Sequence, residues 1–196
     1  TSSNTFDIYA MDGNQIWMNS GNIANNNYIF PAQTCNSLQQ LYVSLSDVSG
    51  CVSNSSINGA ILKDTISPNK PVINDVSVNS NGKSVISWSS ISTDVNVYAI
   101  YLLDEFGAWI TIDSVYGFNN TSYVFNSSNA TNNFETFSIR SLDSCGNASS
   151  RSIMHNSMNI ISNINICDLS IDFSWNDYIN FKDDLSHYKL FLDITD

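Results

Sequence analysis

The chain has 196 residues, enough for one large domain or two small ones. Seven Lys and Arg face 18 Asp and Glu, a net charge of −11, which excludes the basic footprint of a nucleic-acid binder and disfavours docking on anionic lipid. Charged residues are only 13%, so polarity comes from 33 Ser and 28 Asn, while an apolar share of 42% can still bury a core.

In chain order, Phe6-Asp7-Ile8-Tyr9, Leu41-Tyr42-Val43-Ser44-Leu45, Ser84-Val85-Ile86-Ser87-Trp88, Phe137-Ser138-Ile139-Arg140 and Leu169 to Trp175 alternate apolar and polar residues. Period two with β-branched and aromatic residues predicts half-buried strands. Asp12-Gly13-Asn14, Asn81-Gly82-Lys83, Glu105-Phe106-Gly107 and Cys145-Gly146-Asn147 read as the turns between strands. No stretch has the period of an amphipathic helix, and no apolar run approaches the roughly 18 residues of a membrane span. Thr1-Ser2-Ser3-Asn4 lacks the basic and apolar pattern of a signal peptide.

An internal repeat organises these strands. Ile8-Tyr9-Ala10-Met11-Asp12 recurs as Ile100-Tyr101-Leu102-Leu103-Asp104, and Trp17 as Trp109. Asn27-Tyr28-Ile29-Phe30 recurs as Ser122-Tyr123-Val124-Phe125, and the strand around Tyr42 as that around Phe137, at offsets of 92 to 95 residues. A third copy starts late, with Ser87-Trp88 repeated as Ser174-Trp175 and Tyr98 to Tyr101 as Tyr188 to Phe191. A unit of that length suits a small β-sandwich. The expected organisation is all-β: a partial sandwich at 1–66, a complete one at 67–160 and a partial one at 161–196. The prolines of Ser67-Pro68-Asn69-Lys70-Pro71 mark the first boundary.

Trp88 closing a second strand, Tyr98 to Tyr101 in a third, and Phe137 to Asp143 before Gly146-Asn147-Ala148-Ser149 resemble the fibronectin type III pattern. The resemblance implies immunoglobulin-like sandwiches with Trp88, Tyr98, Phe137, Ile139 and Trp175 in their cores. The run Asp64 to Asn79, then Ile86-Ser87-Trp88, the segment Asp143 to Ser150 with His155, and Cys167 to Tyr178 further resemble repeats of large secreted proteins of gliding bacteria. Such proteins are cargo of the type IX secretion system. The resemblance implies an extracellular or outer-surface location and contact with that machinery, its translocon and outer-membrane shuttle.

Candidate chemistry is sparse. Cys35, Cys51, Cys145 and Cys167 allow three pairings. Proximity favours Cys35–Cys51 and Cys145–Cys167, but a seven-residue strand of about 23 Å would separate the first pair, beyond the roughly 7 Å that a disulfide spans. A bridge between repeats, or free thiols, stays open. No Cys-x-x-Cys or Cys-His spacing predicts zinc. His155 and His187 are expected at strand edges or the surface rather than in catalysis. Asp104-Glu105 and Asp183-Asp184 could offer one or two calcium oxygens, and solvated turn acids are the simpler account. Tyr116 and Phe118 are the candidate exposed aromatic patch for a ligand, with core or inter-repeat packing the favoured account. Trp17 and Trp109 occupy equivalent hairpin positions, for which a shared structural role is the simpler account. No hydrolase, phosphate-loop or metalloprotease motif is present, so no cofactor, metal or catalytic residue is expected.

These features predict a non-catalytic segment of a large exported bacterial surface protein, serving as stalk, spacer or adhesive repeats. The alternative is a set of accessory or carbohydrate-binding modules beside a secreted polysaccharide-degrading enzyme, with surface polysaccharide as ligand. Strands missing from the end units are expected from flanking domains of the same polypeptide, or by exchange between chains.

Overall fold

A computed structural model describes residues 5–11, 15–30, 35–181 and 185–192. Among them the regular structure is all β, in antiparallel sheets. The chain forms two compact units, Thr1–Ile66 and Ser67–Asp196.

The first unit is a single sheet of β1 (Phe6–Met11), β2 (Trp17–Ile23), β3 (Leu38–Ser46), β4 (Val52–Asn54) and β5 (Asn58–Ile61). Its order is β2-β1-β3-β4, with β5 also paired to β3. Alternation sorts the side chains: Phe6, Ile8, Ala10, Leu41 and Val43 share one face, and Asp7, Tyr9 and Tyr42 the other. Ile8 and Ala10 are buried on the first. Asn27–Phe30, the repeat counterpart of Ser122–Phe125, is irregular and lacks a ladder partner among the described residues.

In the second unit two sheets form a sandwich, and a separate hairpin follows it. One is β10-β7-β6, made of β6 (Val72–Val78), β7 (Ser84–Ser89) and β10 (Ser122–Val124). The other is β12-β11-β8-β9, made of β8 (Val95–Leu103), β9 (Trp109–Tyr116), β11 (Thr136–Asp143) and β12 (His155–Asn156). Their inner faces meet in one core. Ile73, Val76, Ile86 and Trp88 come from the first sheet, and Tyr98, Ile100, Phe137 and Ile139 from the second. Trp88 and Tyr98 meet edge to face, 5.2 Å between centroids, and Phe125 meets Phe137 likewise at 6.0 Å. The indole N–H of Trp88 has no acceptor among the described residues. Leaving a donor unpaired costs about 1–3 kcal/mol, against burial of a large aromatic worth about as much or more.

Beyond this sandwich, β13 (Ile160–Asn165) and β14 (Ser170–Trp175) form a two-stranded hairpin. The register puts Ile160, Ile164, Ile171, Phe173 and Trp175 on one face and Asn163, Asp172 and Asn165 on the other. Trp175 is 39% exposed, which corrects its expected place in a core. Among the described residues no second sheet covers the apolar face. Tyr188 to Leu192 is likewise not a strand.

The segment after the hairpin turns back into the sandwich. Tyr178 is only 9% exposed and belongs to the same core as Ile73 and Trp88. The strand pattern of a new repeat therefore starts at residue 160, yet its next aromatic packs on the preceding sheets.

Trp88→Ala should destabilise the second unit by about 3–5 kcal/mol. Trp175→Ala, at a half-exposed site, should cost less than a third of that. Urea unfolding followed by circular dichroism measures both.

Candidate functional site

Four loops share one construction. Asp47–Cys51, Asn79–Lys83, Asp104–Ala108 and Asp143–Asn147 each close with the fourth residue's N–H on the first residue's carbonyl, 2.9–3.4 Å. In each, the first side chain accepts the N–H groups of the third and fifth residues: Ser49 and Cys51, Asn81 and Lys83, Phe106 and Ala108, Cys145 and Asn147. The fourth residue is always glycine at positive φ, where an L side chain is strained. At Gly82 a Cβ would also collide with the Thr131 methyl. The acids of these loops thus fold their own turns. Asp104 Oδ1 is engaged in this way, while Asp183-Asp184 lies outside the described residues.

The local chemistry shows in the acidities. Ser49's hydroxyl, then the backbone N–H of Cys51, hold the Asp47 carboxyl below the usual carboxylate range. Burial pushes the Asp143 carboxyl up, but the Asn147 side chain and the amides of Asn147, Cys145 and Gly146 outweigh it and hold it low.

Cys35 and Cys145 are disulfide-bonded, while Cys51 and Cys167 are free thiols on the surface. The two near-neighbour pairings therefore do not form. The nine-residue strand β3 lies between Cys35 and Cys51, and its length keeps them apart.

The candidate patch does not assemble. Tyr116, at the end of β9, is 68% exposed. Phe118 packs instead against the sandwich core, and its carbonyl accepts the Tyr98 hydroxyl at 3.0 Å. Gly117 lies at positive φ between them, its N–H on the Asn96 carbonyl, and this turn sends the two rings to different environments.

A different aromatic group forms on the polar face of the first sheet. Tyr9 and Tyr42 sit opposite each other and stack at 4.9 Å, and Trp17 meets Tyr42 edge-on at 4.8 Å. Nearby, Asn19 and Asn22 donate to Asp7 Oδ1. In the second unit Tyr101 and Trp109 are instead covered by the guanidinium of Arg151, 5.6 and 5.2 Å from the ring centroids. The opposite, apolar face of the first sheet holds an open groove of about 560 Å³ beside Phe30, Leu41, Val43, Ala60 and Leu62. Sequence reading passed over the Tyr9–Tyr42 pair, although both rings fall on the polar side of their strands' alternation.

His155 lies on the edge strand β12, one of the two places expected for it, but it is 3% exposed and not at the surface. Its Nδ1 lies 3.1 Å from the Tyr178 hydroxyl, and that oxygen accepts the Val76 N–H at 2.8 Å. Burial, with a smaller contribution from Asp75, pushes the Tyr178 phenol up to about 12 against the opposing Val76 hydrogen bond, so it is neutral at physiological pH. Pairing of Tyr178 with strands a hundred residues away left no local signal. His187 is exposed, and its Nδ1 lies 2.6 Å from the Ser186 hydroxyl.

No protein-family model matches the chain, and no curated protein matches it significantly. No helix among the described residues is long and apolar enough to cross a membrane.

Thiol titration of the denatured, unreduced chain should find the Cys51 and Cys167 thiols alone, and all four after reduction. Asp143→Ala should destabilise the second unit by about 1–2 kcal/mol, since it strips the Cys145 and Asn147 amides of their acceptor. The depressed carboxyl of Asp143 makes its contribution full above the ordinary value of 3.8, and lost as pH falls below it. Acid unfolding of the wild type and the variant should converge there.

Proposed function

We propose that the chain is a run of fibronectin type III-like repeats from an exported bacterial surface protein of the type IX secretion kind, acting as spacer or adhesive stalk. The observation that carries this reading is a likeness between the two units that reaches hydrogen-bond detail. The order β2-β1-β3-β4 parallels β9-β8-β11 followed by the bridge of Leu142 to Ala148. A bulge interrupts the first pair of strands at Ile8/Tyr9 in one unit and at Ile100/Tyr101 in the other.

The last strand breaks in the same way in both. Ser55 donates its N–H to the Val43 carbonyl at 2.8 Å and takes the Val43 N–H on its hydroxyl at 2.9 Å. Ser152 does the same with Ile139, at 2.7 and 2.9 Å. The three-plus-four strand division of the second unit supports the family reading. On the apolar face of β13–β14 Tyr188 meets Trp175 at 5.7 Å, and no second sheet lies there among the described residues; such a face suits a sandwich, whose sheets bury their apolar faces against each other. An oxidised Cys35 and Cys145 fit an oxidising compartment. The proposed role is mechanical: ordered sandwiches on short linkers extend a binding domain from the cell.

Protease shaving and fractionation of cells producing the protein test this reading. Recovery at the outer surface is expected, and retention in the cytoplasm would overturn it.

The aromatic group of the first unit favours a second reading, a glycan-binding module. Tyr9, Trp17 and Tyr42 beside the amides of Asn19 and Asn22 offer the ring-plus-amide chemistry that sugars take. A glycan array with Trp17→Ala and Tyr116→Ala separates the two readings. Binding abolished by Trp17→Ala alone supports the module, and no binding at all leaves the spacer.

A further inference from the structure

The hairpin β13–β14 is held on the sandwich by a clasp of side chains. Asn159 donates its N–H to Asn176 Oδ1 at 2.8 Å, and Asn176 Nδ2 reaches the Ser157 carbonyl at 3.1 Å. Asn156 donates to the Asp177 carbonyl and accepts the Ile179 N–H, at 2.8 and 2.7 Å. Asn180 Nδ2 reaches the Met154 carbonyl at 2.9 Å. At the centre of this clasp lies a titratable relay: Val76 donates its N–H to the Tyr178 oxygen, which lies 3.1 Å from His155 Nδ1.

We propose that His155 and Tyr178 form a pH-sensitive latch, closed at neutral pH and loosened by acid, that sets how firmly the β13–β14 hairpin sits on the sandwich before it. The relay works in one protonation state. A neutral imidazole accepts the phenol proton at Nδ1, and the phenol oxygen is left to accept from Val76. A protonated imidazole has only donors. Two N–H groups then point at the Tyr178 oxygen, and its own proton has no acceptor at a buried site. An unpaired buried donor is costly, so the tyrosine moves out or the proton is refused.

The surrounding charges are few. Asp75 on β6 favours the protonated form, and Lys70, before β6, lines the same hollow as His155. From β11 the facing residue is Phe137, which is apolar. The nearby Glu135 carboxylate is engaged by Ser84, Ser128 and the Asn129 amide, and the Asp177 carboxylate turns to the Tyr188 hydroxyl. Burial outweighs Asp75 and pushes the imidazole below its ordinary value of 6.5. The unfolded or undocked chain therefore binds the proton more readily. The latch contributes fully above 6.5 and weakens as pH falls below it.

Two readouts test it on the whole chain. One is hydrogen exchange at the Val76 amide, corrected for intrinsic rates. The other is the anisotropy of a fluorophore on Cys167, at the hairpin turn, in a Cys51→Ser background. Between pH 8 and pH 5, Val76 protection should fall by about tenfold or more, and the anisotropy should drop with the same midpoint, below the ordinary histidine value. His155→Gln keeps a neutral acceptor and should stay protected at pH 5. Tyr178→Phe should be weakly protected throughout and show no step. Unchanged protection and anisotropy in the wild type, or a step that survives in Tyr178→Phe or His155→Gln, would overturn the latch.

Discussion

The sandwich of the second unit is arranged around the contact between Trp88 and Tyr98. The two rings come from different sheets and meet edge to face at the centre of the core. That contact sets the spacing of the sheets, and Ile73, Val76, Ile86, Ile100, Phe137 and Ile139 fill the layer so defined. Interiors pack at crystal-like density, so each neighbour is constrained by the size of these two rings. The unpaired indole N–H shows which force wins: the ring stays buried although its donor finds no acceptor.

The abundant Ser and Asn residues act as backbone substitutes. Where a ladder breaks, a serine hydroxyl takes the N–H that a carbonyl would have taken, as Ser55 does for Val43, Ser152 for Ile139 and Ser149 for Ser141. Where the chain leaves the sandwich, asparagine amides bridge the segments. A short neutral side chain can do this inside a protein without the desolvation cost of a charge. The same economy appears in the loops, where Asp or Asn folds its own turn. A low charge content is thus compatible with a satisfied interior.

The two ends of this scheme meet at Tyr178. A module in a string needs a core of its own and a defined attachment to its neighbour. Here the ring that follows the exposed hairpin is given to the preceding core, so attachment and core packing are one interaction. His155 is buried because it serves that joint. In the latch proposed above, protonation of His155 acts at this joint.

Much of this architecture is legible in the residues. Alternation at Phe6–Tyr9, Ser84–Trp88 and Phe137–Arg140 marks strands because the side-chain period of a strand is two, and Asp or Asn followed by Gly marks tight turns because both act locally. Partnerships over distance were not legible. Neither sequence proximity nor strand alternation told which cysteines would be oxidised, that Trp175 would stay exposed, that Phe118 and Tyr116 would part, or that Tyr178 would reach Val76 and His155. Local hydrogen bonding and periodicity are written in neighbouring residues, and these determined the strands and turns. Burial depends on which surfaces meet after the chain has turned, and only the tertiary structure decided that.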